Sequence, residues 1–254
     1  MKINALRSSL LLSLFVVFQG CASINPLIEN INIIPVAQEN EASKQMEGEI
    51  AKQMTLVSDA AANQRVSSVG QKLVASLPKK QFNYRFFVIQ DNTPNAFTIP
   101  GGAIYVHTGL LAMTTSDDEL AGVIGHEIGH AYERHPAKGM TRSLGAQYIS
   151  NMLLKGNNNL VAKAALQFAS GGVLNKYGRD DEREADDIGY YLIRRAGYAP
   201  DGLLRFMKKL QMISSDTTPV FFRTHPPTAE RVARLEYLMN TPTADVEIAK
   251  RYAL

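Results

Sequence analysis

Residues 125–130 read GHEIGH, and two of the chain's five histidines, His126 and His130, stand four apart within them. On a helix, positions four apart lie one above the other on the same face. Two imidazoles so placed can grip one metal ion from the same side. Glu127, directly after the first of them, then comes beside the ion's open position. A zinc hydrolase needs this arrangement: two ligands on one helix and a carboxylate that can take a proton from water. Glycine costs about 1 kcal/mol relative to alanine in a helix interior. Gly125 and Gly129 therefore predict a second backbone packed close against this one.

A catalytic zinc takes three protein ligands and keeps a fourth position for water. His135 is near in sequence, but a metzincin spacing needs glycine where Glu133 stands and histidine where Pro136 stands. His135 therefore reads as a polar residue at a helix end. The other source is DEREAD, residues 181–186. Glu182 and Asp186 share a helical face, so one can ligate zinc while the other accepts the spare N–H of a ligand histidine. Glu184 points about 200° away from Glu182 at the helical turn angle, and ranks lower.

These residues need helices to carry them, and the sequence supplies helices. Ser116 precedes Glu119 by three residues in SDDE, a capping-box pattern with two aspartates in the first turn. It predicts a helix over about 117–134, ended by Pro136. The acidic cluster opens a helix over 179–197, closed by Gly197. Further helices are expected over 41–77 (as two), 138–155, from about 160 after the loop GNNN, from Pro200-Asp201, and last after THPP. Three short strands are expected in NYRFFVIQ, NAFTIP and AIYV, with Gly101-Gly102 between the second and third. The sum is an α+β chain, mostly helical, with one small β-sheet.

The chain has 254 residues, 45% hydrophobic and 20% charged, which suits one globular domain. The leader MKINALRSSLLLSLFVVFQGCAS places Lys2 and Arg7 before an apolar run from Leu10 to Phe18, too short to span a bilayer but suited to a signal peptide. Without those two cations, 25 basic residues face 24 acidic ones. With no basic run, nothing favours nucleic acid. Cys21, the only cysteine, resembles the lipid-attachment site of bacterial lipoproteins, and Ala22 after it implies sorting to the outer membrane. The alternative is an ordinary secretory signal. Residues 1–20 are thus expected to be a signal peptide, 21–40 a lipidated tether, and 41–254 the folded domain.

HEIGH, then EREADDIG, then THPPTAER, with NAFTIPGGAIYVHTGLL upstream, resemble the gluzincin metallopeptidases that include HtpX and the CAAX prenyl endopeptidases. The closest kin would be their small, secreted bacterial members, and the resemblance covers about residues 40–240. It implies a zincin-like peptidase domain holding one Zn2+ on His126, His130 and Glu182, with Asp186 behind the ligands. The membrane helices of HtpX and the CAAX enzymes are missing, which argues against membrane-embedded substrates.

On this reading Glu127 is the general base, and His225, ahead of Pro226-Pro227, is the first candidate for stabilising the oxyanion, with Arg231 second. In some relatives the histidine matching His225 instead occupies the zinc's open position. The strand with Ile104, Tyr105 and Val106 is expected to offer substrate an edge, Ile104 and Val106 facing one side and Tyr105 and His107 the other. His107 reads as a strand residue near the cleft. The expected function is a zinc endopeptidase at the periplasmic face of the outer membrane, held by a lipid on Cys21. It would act on misfolded or unassembled envelope proteins. The alternative is a chaperone or assembly factor with a latent or structural zinc.

Overall fold

The computed structural model describes residues 32, 34–143, 158–172, 176–212 and 219–254. The leader, Cys21 and most of the expected tether lie outside the described residues, as does the expected helical stretch 144–155.

Two helices come first, α1 (Val36–Gln53) and α2 (Ala60–Val74). The first begins inside the stretch expected as tether, because Glu39, Ala42, Ser43, Met46 and Ile50 give it a buried face. Asp59 caps the second by accepting a hydrogen bond from the Ala61 N–H.

Three strands follow, β1 (Arg85–Ile89), β2 (Ala96–Ile99) and β3 (Ala103–His107). Their order is β1-β3-β2, with β3 parallel to β1 and antiparallel to β2. The tight return from β2 to β3 uses Gly101 and Gly102 at φ of 84° and 80°, a left-handed region that favours glycine. This topology corrects one expectation. Ile104, Tyr105 and Val106 lie on the central strand, paired on both sides and fully buried. The alternation itself holds: Ile104 and Val106 join a core with Leu120, Ile124 and Ile188, and Tyr105 joins a second core with Met46, Ile99 and Phe168. Tyr105 stacks between Phe87 and Phe97 at 5.0 Å from each ring.

A short helix α3 (Thr108–Met113) leads into α4 (Asp117–Tyr132), the helix of the GHEIGH stretch. Every residue of α4 from Glu119 to Tyr132 is buried, so it runs through the core rather than over it. The capping box is only half formed. The Ser116 hydroxyl accepts from the Glu119 N–H, but the Glu119 carboxylate turns to the Thr115 N–H and Lys209. Pro136 does not stop helical structure here. The chain turns at Arg134, in the left-handed region at φ 60°, and a new helical run occupies 135–143 with Pro136 in its first turn, where no amide N–H is needed.

The remaining helices are α5 (Asn158–Ala169), α6 (Arg179–Arg195), α7 (Gly202–Met212), α8 (Val220–Thr224), α9 (Ala229–Asn240) and α10 (Ala244–Tyr252). The helix after THPP is therefore not the last. Buried Ala244 and Ile248 pack α10 on the main core, and the Tyr252 hydroxyl donates to Asp187 on α6. No helix of the described residues is long and apolar enough to cross a membrane.

Candidate metal centre

The site is built where α4 and α6 touch backbone to backbone. A Cβ on Gly129 would lie 2.6 Å from the Ala185 carbonyl oxygen, and one on Gly189 would lie 2.9 Å from the His126 nitrogen. Gly125 faces Gly189 while Gly129 faces Ala185, so the two helices run antiparallel. The second backbone expected from the glycines of GHEIGH is α6. This closeness brings Glu182 and Asp186 against His126 and His130. Gly129→Ala is accordingly expected to lower stability by about 1–3 kcal/mol through overpacking. Gly48→Ala, where a Cβ meets nothing within 4 Å, should raise it by roughly 0.5–1 kcal/mol. Thermal unfolding of the two variants beside wild type checks the contrast.

Four ligand atoms converge. His126 Nε2 lies 3.0 Å from His130 Nε2, and these lie 3.5 and 3.4 Å from the Glu182 oxygens. His225 Nδ1 stands 3.1 Å from His126 Nε2 and 3.0 Å from Glu182 Oε1. The four side chains offer atoms within 4.8 Å of one another, and all four are buried. Asp186 Oδ1 is 2.8 Å from His126 Nδ1, which places that ring's proton on Nδ1 and leaves Nε2 as a lone pair. Burial, reinforced by neighbouring His126, holds the His130 pKa well below the ordinary histidine value, so that ring is neutral. Two ring nitrogens 3.0 Å apart with carboxylate oxygens of Glu182 beside both form a donor set that one cation can share. Imidazole nitrogens with one carboxylate are the ligand set zinc takes, and the cluster fits it.

The charges around the cluster hold it ionised where a metal needs it. Burial opposes a charge on Glu182, but Arg231 and His225 outweigh burial and keep its pKa well below the usual carboxylate range. Arg231 bonds Asp186 bidentately at 2.7 and 2.8 Å, places Nη1 2.6 Å from Glu182 Oε2, and donates to the Pro226 carbonyl. Its guanidinium thus joins the two carboxylates behind the ligands. Glu127 is different. It is fully buried and neither oxygen has a hydrogen-bond partner among the described residues, so burial raises its pKa despite His225 and His126. His225 Nε2 lies 3.4 Å from its Oε1.

The structure brings together His126, Glu127, His130, Glu182, Asp186, His225 and Arg231, all singled out in the sequence. His107 stays apart, its Nδ1 on the Thr93 carbonyl. Sequence reasoning missed one neighbour and set another aside as a helix-end residue. Tyr177 stacks on the His130 ring at 4.0 Å and 22°, and no local pattern marks it. His135 is completely buried against His130 and Glu184.

Residues 60–239 match the model of Peptidase family M48. The beta-barrel assembly-enhancing protease of Escherichia coli K12 is 28% identical over 211 residues, 79% of this chain and 43% of that protein. Metalloprotease LoiP of the same strain is 30% identical over 179 residues, 69% of this chain and 70% of LoiP. Metalloprotease YcaL, also of that strain, is 28% identical over 174 residues, 67% of each. The chain spans less than half the length of the beta-barrel assembly-enhancing protease.

Proposed function

The chain belongs to peptidase family M48, and from that membership we propose that it is a zinc-dependent endopeptidase. Its substrates would be misfolded or unassembled cell-envelope proteins, met at the periplasmic face of the outer membrane, where a lipid on Cys21 would hold the enzyme. The names of the relatives, an assembly-enhancing protease and two metalloproteases, support the substrate class and the activity. The observation that carries the reading is Glu127: a fully buried carboxylate without hydrogen-bond partners among the described residues, beside a converging set of zinc ligands. A holding factor with a structural zinc has no use for such a group.

His126, His130 and Glu182 would hold the ion. Zinc bound there supplies Lewis-acid polarisation of water and of the scissile carbonyl. Glu127 accepts the water's proton and delivers it to the leaving amine nitrogen. Burial raises its pKa above the ordinary carboxylate value, which favours its holding the proton between the two halves of that transfer. Asp186 holds the tautomer of His126. Arg231 keeps Glu182 and Asp186 ionised and aimed, a holding role rather than the oxyanion contact expected of it.

His225 occupies the position that water and carbonyl must enter. With Nδ1 on Glu182 and Nε2 toward Glu127, its ring would close the site in this conformation. Opening means withdrawing the segment that carries it, just after α8.

The full-length chain purified in detergent with zinc is therefore expected to cleave an unfolded protein such as casein slowly, to stop when chelated, and to recover with zinc. His225→Ala should raise kcat/KM by about 5- to 150-fold, the span of a coupling of about 1–3 kcal/mol. A fall in the variant would return His225 to the oxyanion role. Cleavage by neither protein, with zinc bound, would contradict the peptidase reading.

A further inference from the structure

The two helix-borne ligands are supported differently. His126 meets a carboxylate directly, at Asp186. Behind His130 stands a second imidazole: His130 Nδ1 lies 2.8 Å from His135 Nδ1, and His135 Nε2 lies 3.0 Å from Glu184 Oε2. Asp181 Oδ1 lies 3.5 Å from the same Nε2. Lys138 at 4.0 Å balances Glu184, and Arg142 at 2.9 Å balances Asp181.

The protons in this row can be assigned by exclusion. His130 presents Nε2 to the metal cluster. A neutral ring that gives Nε2 to a cation carries its only proton on Nδ1, and so donates to the nitrogen facing it. His135 Nδ1 must then be the acceptor, which leaves Nε2 to carry that ring's proton, facing the carboxylate of Glu184. Each ring nitrogen of the pair then has one role, donor or acceptor. No such assignment exists if His135 Nδ1 is also protonated, because two N–H groups would then meet head-on.

We infer that His135, anchored by Glu184, is a positioning residue that fixes the tautomer and ring orientation of His130 and thereby raises its affinity for zinc. This rests on the reading of the cluster as a zinc site. It follows that His135, Asp181 and Glu184, which could themselves surround an ion, do not hold one while His130 is metal-bound, since His135 then has no free lone pair.

The chain delivers His135 by an unusual turn. Arg134 adopts the left-handed region at φ 60°, which costs an L-residue roughly 1–2 kcal/mol. Its side chain is tied down by buried Glu39 and the Ile34 carbonyl of the N-terminal segment. The reversal folds the new helical run so that its first residue lies beside the ligand one turn back. Glu184 points away from the metal face of α6, as its helical angle requires, and that direction is toward His135.

Zinc affinity by chelator competition tests the inference on the full-length protein. Wild type should bind one zinc per chain, and absence of binding would instead sink the zinc reading itself. His135→Leu should weaken binding by about 10–100-fold, the usual effect of losing a partner behind a ligand. His135→Asn, whose amide oxygen can accept the His130 Nδ1–H, should recover most of the loss. Equal affinity in Leu and wild type, with metal-free melting curves showing both folded, would overturn the proposal. Independently of any variant, nitrogen-15 spectra of zinc-loaded wild type should show His135 as the Nε2–H tautomer. The Nδ1–H tautomer, or zinc on His135, would also overturn it.

Discussion

Glu127→Gln is expected to cut kcat/KM by about 10²–10⁴-fold, the range supplied by a positioned proton acceptor, while zinc content stays at the wild-type level. The amide keeps the size of the carboxylate and fits the same buried space but cannot take a proton from water. Three observations make the separation sharp. Glu127 lies outside the four converging ligand atoms. Its oxygens hold no hydrogen bond among the described residues that the substitution would break. Burial already raises its pKa, so the neutral amide should fold at least as well as the acid. Steady-state cleavage of an unfolded substrate, with metal analysis of the same samples, checks it. Retained cleavage would remove Glu127 from the chemistry. Lost zinc would move it into the ligand set.

Arg231→Met is expected to destabilise the metal-free protein by about 3–5 kcal/mol, the cost of leaving buried charge without its partner. In a domain of this size that corresponds to a fall in Tm of roughly 6–20 °C, at about 2–4 °C per kcal/mol. Methionine covers the apolar length of arginine, so lost packing contributes little. What remains is Asp186 and Glu182, buried side by side without the guanidinium that joined them. The sign with pH follows from Asp186, whose folded pKa is held below its ordinary value: burial opposes that, and Arg231 with His126 outweighs it. A depressed folded pKa contributes stability above the unfolded value, about 3.9, which is lost as pH falls through the folded pKa. Wild type should therefore lose its advantage over Arg231→Met in strongly acid solution. Denaturant titration at pH 7 and near pH 3 measures both parts. A difference under 1 kcal/mol at pH 7 would contradict the assignment.

The metal cluster is legible in the sequence because helical spacing is a local rule. Two residues four apart share a face wherever the helix goes, so spacing alone pairs His126 with His130 and Glu182 with Asp186. The glycines that let α4 and α6 touch are visible for the same reason, since a helix does not keep them without a close neighbour.

His135 is not legible in this way, because its place depends on Arg134 turning left-handed, and arginine carries no signal for that conformation. The pinning of Arg134 by Glu39, far away in sequence, makes the turn a tertiary fact. Glu184 ranks low on a correct angle: it does point away from the metal, toward a partner that helical spacing could not reveal. The central strand β3 reads as an edge only if its composition is overlooked, since its apolar AIYV run is what a strand buried on both faces carries. The start of α1 inside the supposed tether depends on Glu39 finding Arg134, again across the fold.

The zinc peptidase reading stands or falls on where the metal sits. Crystals of the full-length protein grown with zinc and recorded on both sides of the zinc absorption edge would locate it directly. One anomalous peak is predicted, within bonding distance of His126 Nε2, His130 Nε2 and Glu182, with His225 Nδ1 facing it. A peak among His135, Asp181 and Glu184 instead, or no peak at all in zinc-saturated crystals, would contradict it.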